Sequence, residues 1–317
     1  MPVHLTVNVN SVNAARQDDN YHRELAHTGR PGFLGVTVQS YNAQGQPVGS
    51  PETGAVYVPR ATETLSYDFD GNLLGDGRWV YGWDAEDRLV SMETQPQAVS
   101  GIPAAQSVKL LFDYDGMGRR IRKRVYQPAS SGTPVRTERY VWDGWLCAAK
   151  LDGVQTEAYV WRVDLAGSLE ATRGWLAAVM DLNSESGTVS GVHFPAYDGN
   201  GNVMALVSEM SGYAYLTARY EYDPFGNELR RTGGHAENNP WRFSTKWTDR
   251  ESGLSYYGYR YYDPVRGRWL SRDPLSEPGH EFLSKLFDTT GVAPEDKISP
   301  PNLYNFAFSC PTTHLRD

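Results

Sequence analysis

The chain has 317 residues and a formal net charge of −8, with 30 Lys and Arg against 38 Asp and Glu. That balance argues against nucleic-acid binding, which needs clustered cations to neutralise phosphates. No apolar run approaches the roughly 18–20 residues that span a bilayer, and 20 Tyr, 9 Trp, 31 Gly and 19 Pro favour strands joined by tight turns over long helices.

Residues 1–60 read as a β-rich lead-in. Val3 to Val9 alternates apolar with polar residues, as a half-buried strand does. The opening residues lack a charged stretch followed by an apolar one, so no signal peptide is expected. Gly45, Pro47, Gly49, Pro51 and Gly54 mark a turn-rich connection.

Residues 61–230 carry an internal repeat, aromatic-Asp-x-x-Gly-Asn/Arg, usually followed by an apolar residue. Its copies are Tyr67-Asp68-Phe69-Asp70-Gly71-Asn72, Tyr114-Asp115-Gly116-Met117-Gly118-Arg119, Tyr197-Asp198-Gly199-Asn200-Gly201-Asn202 and Tyr222-Asp223-Pro224-Phe225-Gly226-Asn227. Trp83 to Arg88 is a variant with Asp87 in the glycine slot, and Trp142-Asp143-Gly144 is a worn copy. Tyr262-Asp263-Pro264-Val265-Arg266-Gly267 repeats the motif with one extra residue, beyond the main array. In each copy the aromatic ends a strand and packs on its neighbours, the Asp accepts backbone N–H bonds inside the turn, and the Gly takes a positive φ. The spacing of the copies is irregular, which predicts a strip of hairpins with variable arms rather than a strict solenoid. One such unit cannot bury its own apolar face; stacked units can. Within the array, Leu176 to Met180 is expected to form a helical turn and Arg119, Arg120, Arg122, Lys123 and Arg124 a solvated strand face; Cys147 in the array and Cys310 beyond it are expected to be free, partly buried thiols.

Residues 231–317 begin with the loop Thr232-Gly233-Gly234-His235 and grow denser in aromatics. Phe282, Leu283, Leu286 and Phe287 are spaced as one face of a short helix over 281–287, followed by a loop containing Gly291, Pro294, Pro300 and Pro301.

Across residues 220–276 lie Tyr222-Asp223-Pro224-Phe225-Gly226-Asn227, Asn239-Pro240-Trp241-Arg242-Phe243-Ser244, Glu251-Ser252-Gly253-Leu254-Ser255-Tyr256-Tyr257, Tyr259-Arg260-Tyr261-Tyr262-Asp263-Pro264 and Gly267-Arg268-Trp269-Leu270-Ser271-Arg272-Asp273-Pro274, in that order. This block resembles the RHS repeat-associated core domain, and the upstream copies resemble YD-repeats of the same family; the resemblance covers about 60 to 317. It implies an all-β fold: a strip of hairpins forming part of a hollow shell, with a short helix near the C-terminus. It further implies a shell that encloses a C-terminal toxin, meets delivery machinery outside, and closes with a core domain that cleaves the chain after an Asp-Pro-x-Gly-Leu-like motif. Asn302-Leu303-Tyr304 resembles the family's Asn-Leu-Tyr segment, with Cys310-Pro311 where the family has Asn-Pro. The sequence given ends at Arg316-Asp317, about where that motif is expected to begin, so this copy is expected to lack both cargo and scissile bond. A structural shell module, secreted or displayed as part of a larger protein and serving bacterial competition, is therefore the leading expectation, and not a self-contained enzyme.

Arg272 and Asp273 resemble the position of a catalytic aspartate in the family's self-cleavage, which needs two carboxylates sharing a proton; the alternative is an ordinary Asp-Pro turn. Asp68-x-Asp70-Gly71 and Asp198-x-Asn200-Gly201 have alternating oxygen ligands, as calcium loops do, but lack the closing bidentate Glu, which favours hairpin turns. The seven histidines show no metal-ligand spacing, and no cofactor motif occurs, so neither metal nor cofactor is expected. The Tyr256–Tyr262 cluster suits either shell packing or, as a rival reading, stacking on a surface glycan.

Overall fold

The computed structural model describes residues 6–17, 20–26, 32–59, 62–95, 107–153, 155–162 and 175–273. The segment 281–287, the Asn302-Leu303-Tyr304 stretch and Cys310 lie outside these. The fold is all-β. A four-stranded sheet comes first, built from β1 (Thr6–Val9), β2 (Val12–Asn13), β5 (Gly32–Tyr41) and β6 (Pro47–Val58) in the order β2-β1-β5-β6, with β3 (Ala15–Gln17) and β4 (Asn20–His22) as a separate pair. Fourteen strands then form one antiparallel sheet in chain order: β7 (Ser66–Tyr67), β8 (Leu73–Gly75), β9 (Trp79–Trp83), β10 (Leu89–Thr94), β11 (Lys109–Tyr114), β12 (Arg120–Tyr126), β13 (Arg136–Asp143), β14 (Leu146–Leu151), β15 (Gln155–Arg162), β16 (Trp175–Asn183), β17 (Val189–Tyr197), β18 (Val203–Met210), β19 (Tyr213–Tyr222) and β20 (Glu228–Thr232). A short 3-10 turn, Phe243–Thr245, precedes a small sheet of β21 (Trp247–Thr248), β22 (Ser255–Tyr256), β23 (Tyr261–Asp263) and β24 (Arg268–Trp269). No helix among the described residues is long and apolar enough to cross a membrane.

The repeat supplies the joints of the long sheet. In the turn after Tyr114, the Asp115 main-chain N–H donates to Arg119 O (3.0 Å), Gly118 N–H returns to Asp115 O (3.0 Å), and Asp115 Oδ1 accepts the N–H groups of Met117 and Arg119, both at 2.9 Å. Gly118 sits at φ +79°, where a Cβ is strained. The same bonds recur around Asp198 and Asp223. The structure also explains the last consensus position. Arg119 Nε reaches the second carboxylate oxygen of Asp115 at 2.8 Å, and the side-chain amides of Asn202 and Asn227 do the same to Asp198 and Asp223, each at 2.7 Å. Both oxygens of the Asp are thereby committed inside the turn, which makes these loops hairpins and leaves Asp68 and Asp198 engaged by their own Asn72 and Asn202.

The aromatic has a second role that sequence alone did not reveal. Six rings, each at or one residue before the end of an odd-numbered strand, donate a hydrogen bond to a carbonyl at or next to the start of the preceding strand. The series runs Trp83 Nε1 to Leu73 O (2.7 Å), Tyr114 OH to Leu89 O (2.7 Å), Trp142 Nε1 to Arg120 O (2.8 Å), Trp161 Nε1 to Cys147 O (2.7 Å), Tyr197 OH to Leu176 O (2.5 Å) and Tyr222 OH to Val203 O (2.9 Å). The ladder register shifts at these rings, so each is a bulge that turns the aromatic inward. Trp161 therefore belongs to the series as a further copy.

Three expectations are corrected. Leu176 to Met180 is strand, not helix: β15 pairs with β16 from Gln155↔Asn183 to Arg162↔Trp175, and that long ladder outweighs the local helix preference of Leu-Ala-Ala. Pro47 to Val58 is one long strand rather than a turn-rich connection; Pro47 begins it, where no ladder N–H is needed, and the tight turn lies at 42–46. Finally, Arg120 and Lys123 are buried, at 1% and 2% exposure, not solvated.

Candidate functional site

One face of the long sheet is covered by the segment 235–271. Trp241, Trp247, Leu254, Tyr256, Tyr261 and Leu270 join a single buried cluster with Leu73, Trp79, Leu110, Phe112, Tyr140, Tyr159 and Val179 of the strands beneath. The rings meet edge to face: Tyr140 on Trp247 at 5.0 Å, Tyr159 on Trp241 at 5.3 Å and Trp161 on Trp241 at 4.9 Å. Such pairs add about 0.5–1.5 kcal/mol each beyond burial of their area. The segment also satisfies backbone donors that follow the repeat turns. Leu73 N–H donates to Leu270 O (2.9 Å), Val203 N–H to Arg242 O (3.1 Å) and Arg120 N–H to Tyr256 Oη (2.9 Å). The cover is therefore wired to the joints of the strip as well as packed on its face.

An ionic seam lies within this apolar contact. Asp249 Oδ2 accepts from Arg120 (2.6 Å) and Oδ1 from Lys123 (2.9 Å). Lys123 also reaches Glu251 Oε2 (3.1 Å) and Glu138 Oε2 (3.0 Å). Arg136 bonds the other oxygen of each of those two glutamates. Three acids and three cations balance, and all six carboxylate oxygens are engaged. Burial opposes ionisation of Asp249, but Arg120 and Lys123 outweigh it and hold the carboxyl below its usual range. The same contest, won by Lys123 and Arg136, lowers Glu138. The Arg120 guanidinium also stacks on Tyr256 (4.7 Å) and Tyr140 (4.9 Å). A neutral cluster whose carboxylate oxygens are all engaged contributes little net stability, yet breaking it is costly.

The predicted site residues fall into two groups. Tyr67, Asp68, Gly71, Tyr114, Asp115, Gly118, Tyr197, Asp198, Gly201, Tyr222, Asp223 and Gly226 are joints of the long sheet. Tyr262, Asp263 and Gly267 form the corresponding turn of the cover: Tyr262 OH donates to Phe225 O (2.8 Å), tying one motif turn to another. Arg266 in that turn bonds Glu63 (2.6 Å) and Asp76 (3.2 Å), linking the cover to the first unit of the strip. Arg272 is half-buried beside Asp273, and Asp273 forms an ion pair with Arg260 (2.9 Å), whose guanidinium lies 4.1 Å from the Trp269 ring. Of the tyrosine cluster, Tyr256, Tyr261 and Tyr262 are buried and Tyr259 is 62% exposed, packed on Trp145 at 4.6 Å, so the cluster mainly packs the interior. Sequence reading missed the acids of the seam, because Asp249 and Glu251 are more than 100 residues from their cations. It also missed the meeting of His193 and His235 with Asp181.

No family model matches the chain. Over 240 residues it is 30% identical to the tRNA3(Ser)-specific nuclease WapA of Bacillus spizizenii, covering 73% of this chain and 8% of that protein. It is 27% identical over 228 residues to the double-stranded DNA deaminase toxin A of Burkholderia cenocepacia (68% and 15%), and 27% identical over 208 residues to the probable deoxyribonuclease RhsB of Dickeya dadantii (64% and 12%). Among solved structures, the crystal structure of TcdB2-TccC3 superposes with a TM-score of 0.54 at 18% identity, over 90% of this chain and 13% of that one. The chain is thus related to RHS-type toxin proteins and shares the β-sheet fold of that structure. It spans only about a tenth of the length of these relatives.

Proposed function

We propose that this chain is a shell module of an RHS-type toxin protein: a strip of YD-repeat hairpins with the seal that closes over it, built to enclose or present a cargo. One observation carries this reading. Each unit of the fourteen-strand sheet is hydrogen-bonded to the unit before it through its own anchor ring, so the sheet grows by addition along the chain, as a wall does. The relatives support it from another direction. The stretch they share with this chain is common to proteins named for cleaving tRNA, deaminating DNA and cleaving DNA, so the shared stretch is not what distinguishes their reactions. On this reading the chain is not itself an enzyme, its partners are a toxin cargo and delivery machinery, and it acts outside the cell or at its surface as part of a larger protein.

A segment exchange tests the proposal. Residues 62–273 would replace the matching stretch of the WapA relative, and cleavage of that protein's tRNA would be measured. The hybrid is expected to keep the recipient's substrate. A folded hybrid that cleaves a different nucleic acid would overturn the reading, as would hydrolysis of tRNA or DNA by the isolated chain. Self-cleavage at Arg272 and Asp273 is the less favoured reading, because the Asp273 carboxylate is engaged by Arg260.

A further inference from the structure

Asp181 on β16 faces Gly191 on β17, and His193 lies two residues further along the same strand. His235, just past β20, arrives from the other side: its N–H donates to Thr217 O at 2.9 Å. The three side chains converge. Asp181 Oδ2 is 3.1 Å from His193 Nε2 and 3.6 Å from His235 Nδ1, and all three atoms lie within 4.8 Å of one another. Both histidines are buried and the aspartate is partly so.

Hydrogen bonds orient two of the three groups toward the common point. The Thr217 hydroxyl lies 2.9 Å from His193 Nδ1 and 3.3 Å from Leu206 O. A hydroxyl proton given to Leu206 O makes Thr217 an acceptor from Nδ1, and the neutral ring then carries its lone pair on Nε2, the atom facing Asp181. Gln155 donates to Asp181 Oδ1 (2.9 Å), leaving Oδ2 for the same point. In that tautomer Nε2 and Asp181 Oδ2 are two acceptors 3.1 Å apart, an arrangement that a cation between them relieves; in the other tautomer Nε2–H donates to Asp181. His235 Nε2 is buried without a hydrogen-bond partner, so the far edge of that ring is not what positions it. Gly191 keeps the point open: a Cβ there would stand 3.2 Å from Asp181 Oδ2 and 3.3 Å from His193 Nε2.

We infer that Asp181, His193 and His235 form a site for a divalent transition-metal ion of the zinc type. Two imidazoles and one carboxylate suit Zn²⁺ over the oxygen-seeking Mg²⁺ or Ca²⁺. Bonds of about 2.0–2.1 Å in a tetrahedron place ligand atoms roughly 3.3 Å apart, close to both separations measured from Asp181. Thr217 and Gln155 are the outer hydrogen-bond partners such sites use to fix tautomer and carboxylate orientation. The two imidazoles are stacked at 3.9 Å with planes 20° apart, so chelation turns the His235 ring out of the stack until Nδ1 points at the ion. Water completes the shell. The ion pins the loop 233–239, where the cover begins, to β16 and β17. This role is separate from the shell reading and stands or falls without it.

The test uses the full chain without a polyhistidine tag, stripped with chelator and titrated with Zn²⁺, Co²⁺ and Mg²⁺ by calorimetry. One equivalent of Zn²⁺ is expected to bind, Mg²⁺ is not, and saturating Zn²⁺ should raise the unfolding midpoint by at least ~2 °C. Asp181→Asn and His235→Gln should each abolish that shift, and Thr217→Val should weaken binding by roughly 10–100-fold through loss of the outer partner. Absence of saturable Zn²⁺ binding overturns the inference in favour of a shared proton. So does binding that the Asp181 and His235 variants retain. If those variants fail to fold, X-ray absorption of the Zn²⁺-loaded wild type decides: nitrogen and oxygen neighbours support the site, whereas sulfur places the ion at a cysteine and refutes it.

Discussion

The first sheet and the long sheet are held together in different ways. β5 and β6 pair over most of their length, from Gly32↔Val58 to Tyr41↔Pro47, yet ten of the twelve β6 residues are exposed. Ala14 is the one core apolar residue before Leu73 among the described residues. In the long sheet, strands of similar ladder quality bury an aromatic at nearly every unit, because the segment 235–271 lies over them. Backbone pairing alone gives an extended but thin sheet. A second layer, delivered from the downstream segment 235–271, gives a core. The asymmetry implies that stability resides in the covered strip, and Cys147 is a reporter for it: the thiol is fully buried, and burial pushes its pKa up to about 12, so it reacts with thiol reagents only on opening. In a Cys310→Ser background its labelling rate follows the core alone.

The largest effect is expected at the seam. Asp249→Ala strands Arg120 and Lys123 in the interior and should cost about 3–5 kcal/mol in chemical denaturation, with Cys147 labelling accelerated to match. A loss below about 1 kcal/mol would mean that the cover and the strip do not fold as a unit, and the contrast between the two sheets would fail.

Acid should reach the same seam without mutation. Asp249 and Glu138 have carboxyl pKa values lowered in the folded state. A lowered folded pKa gives stability that is fully present above the unfolded carboxylate range, near 4, and is lost as pH falls through the folded value. The urea midpoint should therefore hold from neutrality to about pH 5 and decline below about pH 4. Asp249→Asn should flatten that decline; an unchanged slope would assign the acid sensitivity elsewhere.

What could be read from the sequence follows how far apart the interacting groups are. The Asp-to-Gly turn closes within five residues, so Asp115 and Gly118 announce themselves. The Asn or Arg at the turn's end was visible as a pattern, and its bond to the second Asp oxygen gives the reason. The anchor rings were legible as packing groups, but not as donors to a carbonyl on the neighbouring strand. Arg120 and Lys123 looked like a solvated face because Asp249, the acid they share, lies more than 120 residues away, and His193 and His235 are separated by 42 positions, far outside any ligand spacing. Leu176 to Met180 misled for the complementary reason: its local preference was real, and the partners that overruled it on β15 were not adjacent.

The anchor-ring bonds test the strip independently of its cover. Tyr222→Phe keeps the ring but leaves the carbonyl of Val203, a wholly buried residue, without the Tyr222 hydroxyl. The expected loss is about 1–2 kcal/mol. Trp142→Phe, which removes the donor to Arg120 O and some ring area, should cost at least as much. If Tyr222→Phe is neutral, the rings act through packing alone, and the addition-by-unit account of the sheet loses its hydrogen-bonded link.

The smallest effect should appear in the first sheet. Phe33 meets Tyr57 edge to face at 5.3 Å, and Arg78 of the strip lies 5.6 Å from each ring. This stack joins the thin sheet to the covered one, so Phe33→Ala should remove about 0.5–1.5 kcal/mol of local interaction. The consequence that matters is where that loss is felt. Hydrogen exchange along β5 and β6 should quicken, since their ladder would lose a tether and has little burial to fall back on. Cys147 labelling should stay at the wild-type rate, because Phe33 belongs neither to the buried cluster nor to the half-buried residues packed against it. If labelling accelerates along with exchange, the first sheet is a working part of the core rather than a ladder resting against it, and the two-region division has to be redrawn.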